Sequence, residues 1–185
     1  MAKQVVLVVD IQNDYFPGGK LPLHNVEAAR DKAVQVIEDA RAKGSSVVHI
    51  RHEFPFAEAP FFVAGTDGAK IHDTVRPLEG ETVVLKQHAN AFRDTNLRDV
   101  LDALDPDQLV IVGSMSHMCI DATARAAADV GYNPVVLHDA CATLDLNFGD
   151  QVVEAPKVHA AFMAALSQGY ARLLTVDEHL ARSEA

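Results

Sequence analysis

Val110-Ile111-Val112-Gly113-Ser114-Met115-Ser116-His117-Met118-Cys119-Ile120-Asp121-Ala122-Thr123-Ala124-Arg125 is the stretch whose reading decides the fold. It opens as a buried apolar strand, passes through a small polar turn that holds a cysteine, and continues without a break into an alanine-rich helix. A strand that gives way to a helix in this manner belongs to an open α/β sheet, and ligands bind such sheets at the carboxyl ends of the strands. A thiol at that junction sits beside a helix N-terminus, whose N–H donors and dipole lower a cysteine pKa. Cys119 is therefore the candidate nucleophile, with an expected depressed pKa.

Upstream, Gln4 to Val9 is apolar on both faces, as an interior parallel strand requires, and it ends in a charge, Asp10. The polar, turn-rich stretch from Ile11 to Gly19 follows as a loop. Apolar residues at Val26, Ala29, Ala33, Val36, Ile37 and Ala40 predict a helix over Asn25–Lys43, with Asn25 as its cap and Gly44 as its stop. Ser46–Ile50 is the second strand, and a long connection over roughly 51–80 carries Phe54, Phe56, Phe61 and Phe62. Connections of that length are usually functional, and this one reads as a lid, a pocket wall or an oligomer contact, with a packed surface loop as the plain alternative.

Thr82–Leu85 is the third strand and ends in Lys86; a helix is expected over Asp94–Leu104, closed by Asp105-Pro106. Beyond the opening stretch, Gly131 stops its helix and Pro134–His138 is the fifth strand. A loop is expected from Asp139 to about Asp150, then a helix over Glu154–Gln168, a short sixth strand over Ala171–Leu174 and a last helix over Asp177–Arg182. Six strands alternating with helices give a parallel sheet covered on both faces, because βα crossovers are right-handed. The expectation is a single α/β domain over 1–185, Rossmann-like, with strand order 3-2-1-4-5-6.

Composition bounds the function. A formal net charge of -10 lacks the basic surface that nucleic-acid phosphates need. No apolar run reaches membrane-spanning length and the start of the chain carries no export signature, so a cytoplasmic protein is expected. The two cysteines, Cys119 and Cys141, are not expected to pair in a reducing compartment.

Asp10, Lys86 and Cys119 each end a strand or begin the turn after one. With strands one and four adjacent, roughly 4.8 Å apart, Asp10 and Cys119 face each other, and Lys86 starts roughly 10 Å from Asp10, a gap its stem largely spans. A carboxylate to take a thiol proton and a cation to hold the thiolate suit one reaction.

Val8-Val9-Asp10-Ile11-Gln12-Asn13-Asp14, Lys86 with Asn90-Ala91-Phe92 and Thr95-Asn96-Leu97, Gly113 through Arg125 with Gly131-Tyr132, and Asp139-Ala140-Cys141-Ala142-Thr143 together resemble the isochorismatase-like cysteine hydrolases. The set covers nearly the whole chain in the family's order. The resemblance implies a three-layer α/β/α sandwich, a catalytic triad of Asp10, Lys86 and Cys119, and a cis, non-proline Ser114-Met115 peptide. It also implies an oxyanion hole made by the backbone N–H groups of Met115 and Cys119, a homo-oligomer (dimer or tetramer), and hydrolysis of a C–N bond in a small amide-type molecule. Vinyl-ether hydrolysis of isochorismate is the alternative reaction, and a non-catalytic small-molecule-binding protein or a redox-sensing thiol the alternative classes.

Gln12, Phe16, Phe92 and His117 are further candidates for the substrate pocket, with core packing the equal alternative for the two phenylalanines. His117, two residues before the nucleophile, is expected to support the site from behind or to touch the substrate's edge rather than to act as the base. Cys141 is read as structural. Nine histidines raise the question of a metal. In the nicotinamidases of this family the resemblance implies an Asp-x-His pair after the second strand plus another histidine for zinc; this chain has Arg51-His52-Glu53-Phe54-Pro55 there and lacks the pair, which also makes nicotinamide a less expected substrate. His49 and His52, three apart on a strand, should point to opposite faces. No metal and no cofactor are expected.

Overall fold

The structure is a computed structural model that describes residues 3–183. In chain order the elements are β1 (Gln4–Val9), α1 (Val26–Ala42), β2 (Ser46–His52), β3 (Thr82–Lys86), α2 (Leu97–Leu104), β4 (Gln108–Ser114) and α3 (Asp121–Asp129). They are followed by β5 (Pro134–Ala142), β6 (Leu146–Phe148), β7 (Gln151–Val153), α4 (Ala155–Leu166), β8 (Arg172–Leu174) and α5 (Val176–Ser183). The main sheet has six strands in the order β3-β2-β1-β4-β5-β8, every neighbouring pair parallel. β8 is the sixth strand of the sequence reading, so the expected order holds.

β1 explains the three layers. Alternate side chains of a strand point to opposite faces, and Val6 and Val8 pack with Ala33, Val36 and Ile37 of α1 and Val176 of α5. Val5, Leu7 and Val9 pack on the other face with Leu97 and Leu101 of α2, Ala124 and Ala127 of α3, and Met163 and Leu166 of α4. A strand buried on both faces must be apolar, as residues 5–9 are, and the charged residue that follows, Asp10, marks where the chain leaves the sheet.

The order reverses between β1 and β4, where Val9 stands opposite Gly113. A Cβ built on Gly113 would meet the Val9 carbonyl oxygen at 1.9 Å, and Gly113 has φ +124°, in the region that favours glycine. Only glycine lets β4 come this close to β1, and that approach sets Asp10 beside the turn carrying Cys119.

Three local expectations are corrected. Asn25 adopts a left-handed conformation (φ 53°) and its side chain caps nothing; α1 starts one residue later. β5 does not end at His138 but runs to Ala142, because a register shift after Ile111 re-pairs Gly113 with Cys141 and Ser114 with Ala142. The expected loop after it contains the β6–β7 hairpin, whose Phe148 and Val152 lie 81% and 64% exposed.

The long connection between β2 and β3 is tied to the loop after β1. The Asp14 carboxylate accepts the Phe62 N–H at 2.7 Å and the Lys20 N–H at 3.2 Å, and the Asp14 N–H donates to the Gly68 carbonyl at 2.9 Å. Phe54, Phe61 and Phe62 form one aromatic cluster with Tyr15, the Tyr15–Phe62 centroids 4.5 Å apart.

Candidate active site

Asp10, Lys86 and Cys119 meet at the carboxyl edge of the sheet, with only 0%, 1% and 4% of their surfaces exposed. Lys86 Nζ lies 2.7 Å from Asp10 Oδ2 and donates to Cys119 Sγ at 3.2 Å. It also donates to His52 Nδ1 at 2.9 Å and to the His88 carbonyl at 3.1 Å. Four acceptors thus surround an ammonium with three protons. Burial opposes the Lys86 charge, but Asp10 and Cys119 outweigh it and hold the pKa above its ordinary value.

Cys119 lies in a single π-helical turn, Ser116–Ile120, inserted between β4 and α3. The turn is closed by the Met118 and Ile120 N–H groups, both donating to the Met115 carbonyl, and the Ser114–Met115 peptide that leads into it is cis. The expectation of a depressed thiol pKa is corrected. Burial, then the neighbouring Asp10, push the Cys119 thiol up to about 12 against the opposing pull of Lys86. Desolvation outweighs a helix-terminus dipole for a group this deep.

The remaining sequence candidates fall elsewhere. Gln12 is fully buried and its carboxamide is consumed by backbone: Nε2 donates to the carbonyls of His52 (2.8 Å) and Ala69 (2.7 Å), and Oε1 accepts the His52 N–H (2.8 Å). Phe16 lies tilted against the His72 ring, centroids 4.1 Å apart, and packs within the core on the α1 side. Phe92 stacks on Tyr132 at 6.0 Å. His117 turns away from the thiol to Thr143, 2.6 Å from Nδ1 to Oγ1. Cys141 is buried, its Sγ 3.4 Å from the Leu137 carbonyl, and burial raises its pKa to about 12.

Two residues of the site escaped the sequence reading. Tyr15 is buried beside it, and burial, then the charges of Cys119, Asp10 and Asp14, hold its phenol well above the usual range. His52 is the register partner of Lys86 across β2 and β3, which is why their side chains meet. β2 runs two residues past the expected Ile50, to His52, and the strand-end rule applied to the expected strand stops at Arg51, so nothing local marks His52.

Among the described residues, one group of His, Cys, Asp or Glu side chains lies close enough to share a metal ion: Asp10, His52 and Cys119, with ligating atoms within 4.8 Å of one another. Lys86 Nζ contacts all three, at 2.7, 2.9 and 3.2 Å. The ammonium fills the place a metal cation would take, so the donor set does not fit a metal. A cavity of about 260 Å³ lies apart from the triad, between α1 and α4, bordered by His24, His138, Thr143 and His159.

Comparison with known proteins gives the family of this fold. The isochorismatase domain model matches residues 4–178. The isochorismatase family protein YddQ of Bacillus subtilis is 46% identical, over 95% of this chain and 97% of its own. Maleamate amidohydrolase of Pseudomonas putida is 34% identical, over 74% of this chain and 71% of its own. A crystal structure from Oleispira antarctica, assigned to the isochorismatase hydrolases, superposes with a TM-score of 0.94 at 53% identity, covering 97% of each chain. The chain belongs to the isochorismatase family.

Proposed function

We propose that the protein is a cysteine hydrolase that cleaves the C–N bond of a small amide-type molecule through an acyl-enzyme on Cys119. One observation carries this reading: a buried ammonium stands between a carboxylate and a thiol, 2.7 Å from one and 3.2 Å from the other. The amidohydrolase activity of the Pseudomonas putida relative supports the bond type.

Asp10, Lys86 and a neutral Cys119 thiol together carry no net charge. Moving the thiol proton to Asp10 leaves a neutral acid, an ammonium and a thiolate, still with no net charge. A proton shift that conserves charge avoids the large cost of creating an unpaired ion in a desolvated site. A thiol with a raised pKa is thus compatible with nucleophilic catalysis, because Asp10 takes the proton as the C–S bond forms. The tetrahedral oxyanion is held by the Met115 and Cys119 backbone N–H groups; donors of this kind are worth about 3 kcal/mol each in other hydrolases. Collapse breaks the C–N bond, and protonated Asp10 gives its proton to the leaving nitrogen. Water then attacks the thioester, one of its protons passing to Asp10 and on to the departing thiolate.

A screen of small amides and ureides for released ammonia or amine tests the reading. Turnover by the wild-type protein, its loss in Cys119→Ala with unchanged melting, and full rates in the presence of a chelator are expected. Turnover by Cys119→Ala would overturn it. Vinyl-ether hydrolysis needs no nucleophile of this kind, and the buried thiol-carboxylate pair argues against it.

A further inference from the structure

His52 has no part in the mechanism above, yet its side chain touches the one group that both other members of the triad share. The Lys86 ammonium can only donate, so His52 Nδ1 must be the acceptor in their 2.9 Å bond, and the ring proton then sits on Nε2. Nε2 is buried with no hydrogen-bond partner among the described residues, and His52 is 6% exposed. Burial, then the charge of Lys86, lower its pKa to about 4, which keeps Nδ1 unprotonated at neutral pH. The ring is held in place from several directions. Gln12 grips the His52 backbone by both its N–H and its carbonyl, and Phe54 and Phe62 flank the imidazole, with centroids 4.5 and 6.0 Å away.

We propose that His52 is a positioning residue: as a neutral imidazole it anchors the Lys86 ammonium midway between Asp10 and Cys119. Of the four acceptors around Lys86 Nζ, Asp10 Oδ2 and Cys119 Sγ exchange charge during the reaction, while His52 Nδ1 and the His88 carbonyl do not change. Two constant acceptors fix the nitrogen while its bonds to the other two trade strength. Without His52 Nδ1 the ammonium swings toward the carboxylate, the stronger acceptor, and withdraws from the sulfur that depends on it. Gln12 then serves the site indirectly, by fixing the backbone of the residue that fixes Lys86.

The test is the rate at which iodoacetamide alkylates Cys119 at neutral pH, read by peptide mass spectrometry, together with the melting of each variant. Asn carries its oxygen on Cγ, where the imidazole carries Nδ1, whereas Gln carries it one bond further out. His52→Asn is expected to react within about threefold of wild type, and His52→Ala and His52→Gln at least tenfold more slowly. In hydrolysis the same loss falls on kcat with KM little changed. Wild-type alkylation in a folded His52→Ala protein would overturn the proposal. Where that variant does not fold, Asn against Gln decides, and equal rates in those two, fast or slow, overturn it. The inference rests on Cys119 being the nucleophile but needs no substrate. An alkylation series that follows His52 in a protein releasing no amine would leave this role standing and remove only the substrate class.

Discussion

Asp10 and Lys86 form an ion pair at 2.7 Å with almost none of their surface exposed, and each serves as the other's solvation. Removing one member of a buried pair leaves an uncompensated ion, at a typical cost of about 3–5 kcal/mol. Asp10→Asn and Lys86→Met should each lower unfolding free energy by about that amount in urea titrations, and the double variant should recover most of it. Strictly additive losses would contradict the pairing. Both single variants also lose activity by at least about a hundredfold, since each removes the proton acceptor or the cation that holds the thiolate. Asp10 and Lys86 were legible because an apolar run ends at its first charged residue, and Cys119 because it is a thiol in the turn between the fourth strand and its helix. The thiol's raised pKa was not legible: it follows from burial, a property of the folded chain, and local reading of a helix N-terminus predicted the opposite sign.

At the level of elements, the junction of β1 and β4 sets the geometry of the site. Gly113→Ala places a methyl 1.9 Å from the Val9 carbonyl at φ +124°, so β4 must move away from β1. The expected result is a loss of at least about 3 kcal/mol, with alkylation of Cys119 slowed as Asp10 and the thiol part company. A stable, fully active Gly113→Ala protein would show that the close approach is dispensable. β1 and β4 were readable because each holds a continuous apolar run of ordinary strand length, residues 5–9 and 109–112. The extension of β5 through Asp139–Ala142 was not, since it depends on a register shift against β4 and leaves no local pattern. The β6–β7 hairpin has three-residue strands with exposed apolar side chains, too short for any alternation to register. Asn25 has the composition of a cap, but its left-handed backbone turns the side chain away from the helix end.

For the molecule as a whole, histidine burial sets the response to acid. Six of the nine histidines, His49, His52, His72, His117, His159 and His179, are held below the usual 6.5, burial being the first cause in each. Each is harder to protonate in the folded chain than in the unfolded one, where it becomes charged near pH 6.5, so stability falls as pH drops below about 6.5, and for His52 it keeps falling toward 4, where that ring titrates in the folded state. Glu81 adds to the trend: although burial opposes it, Arg41, the Leu78 N–H and His49 hold its pKa at about 2, a contribution lost as pH falls from 4.5. Melting should drop by at least about 5 °C between pH 7 and pH 5, and a flat profile would contradict the burial of these rings. Sheet order, layers and the meeting of Asp10, Lys86 and Cys119 were readable from the sequence, whereas the partners of His52, His117 and Gln12 depended on which loops fold over which strand ends. The central claim, covalent catalysis on Cys119, is tested most directly by quenching turnover of an amide substrate in acid and measuring the intact mass. The account predicts a protein heavier by the acyl group of the substrate, with the added mass on the peptide containing Cys119 and absent from Cys119→Ala. Turnover with no adduct, or an adduct on Cys141, would contradict it.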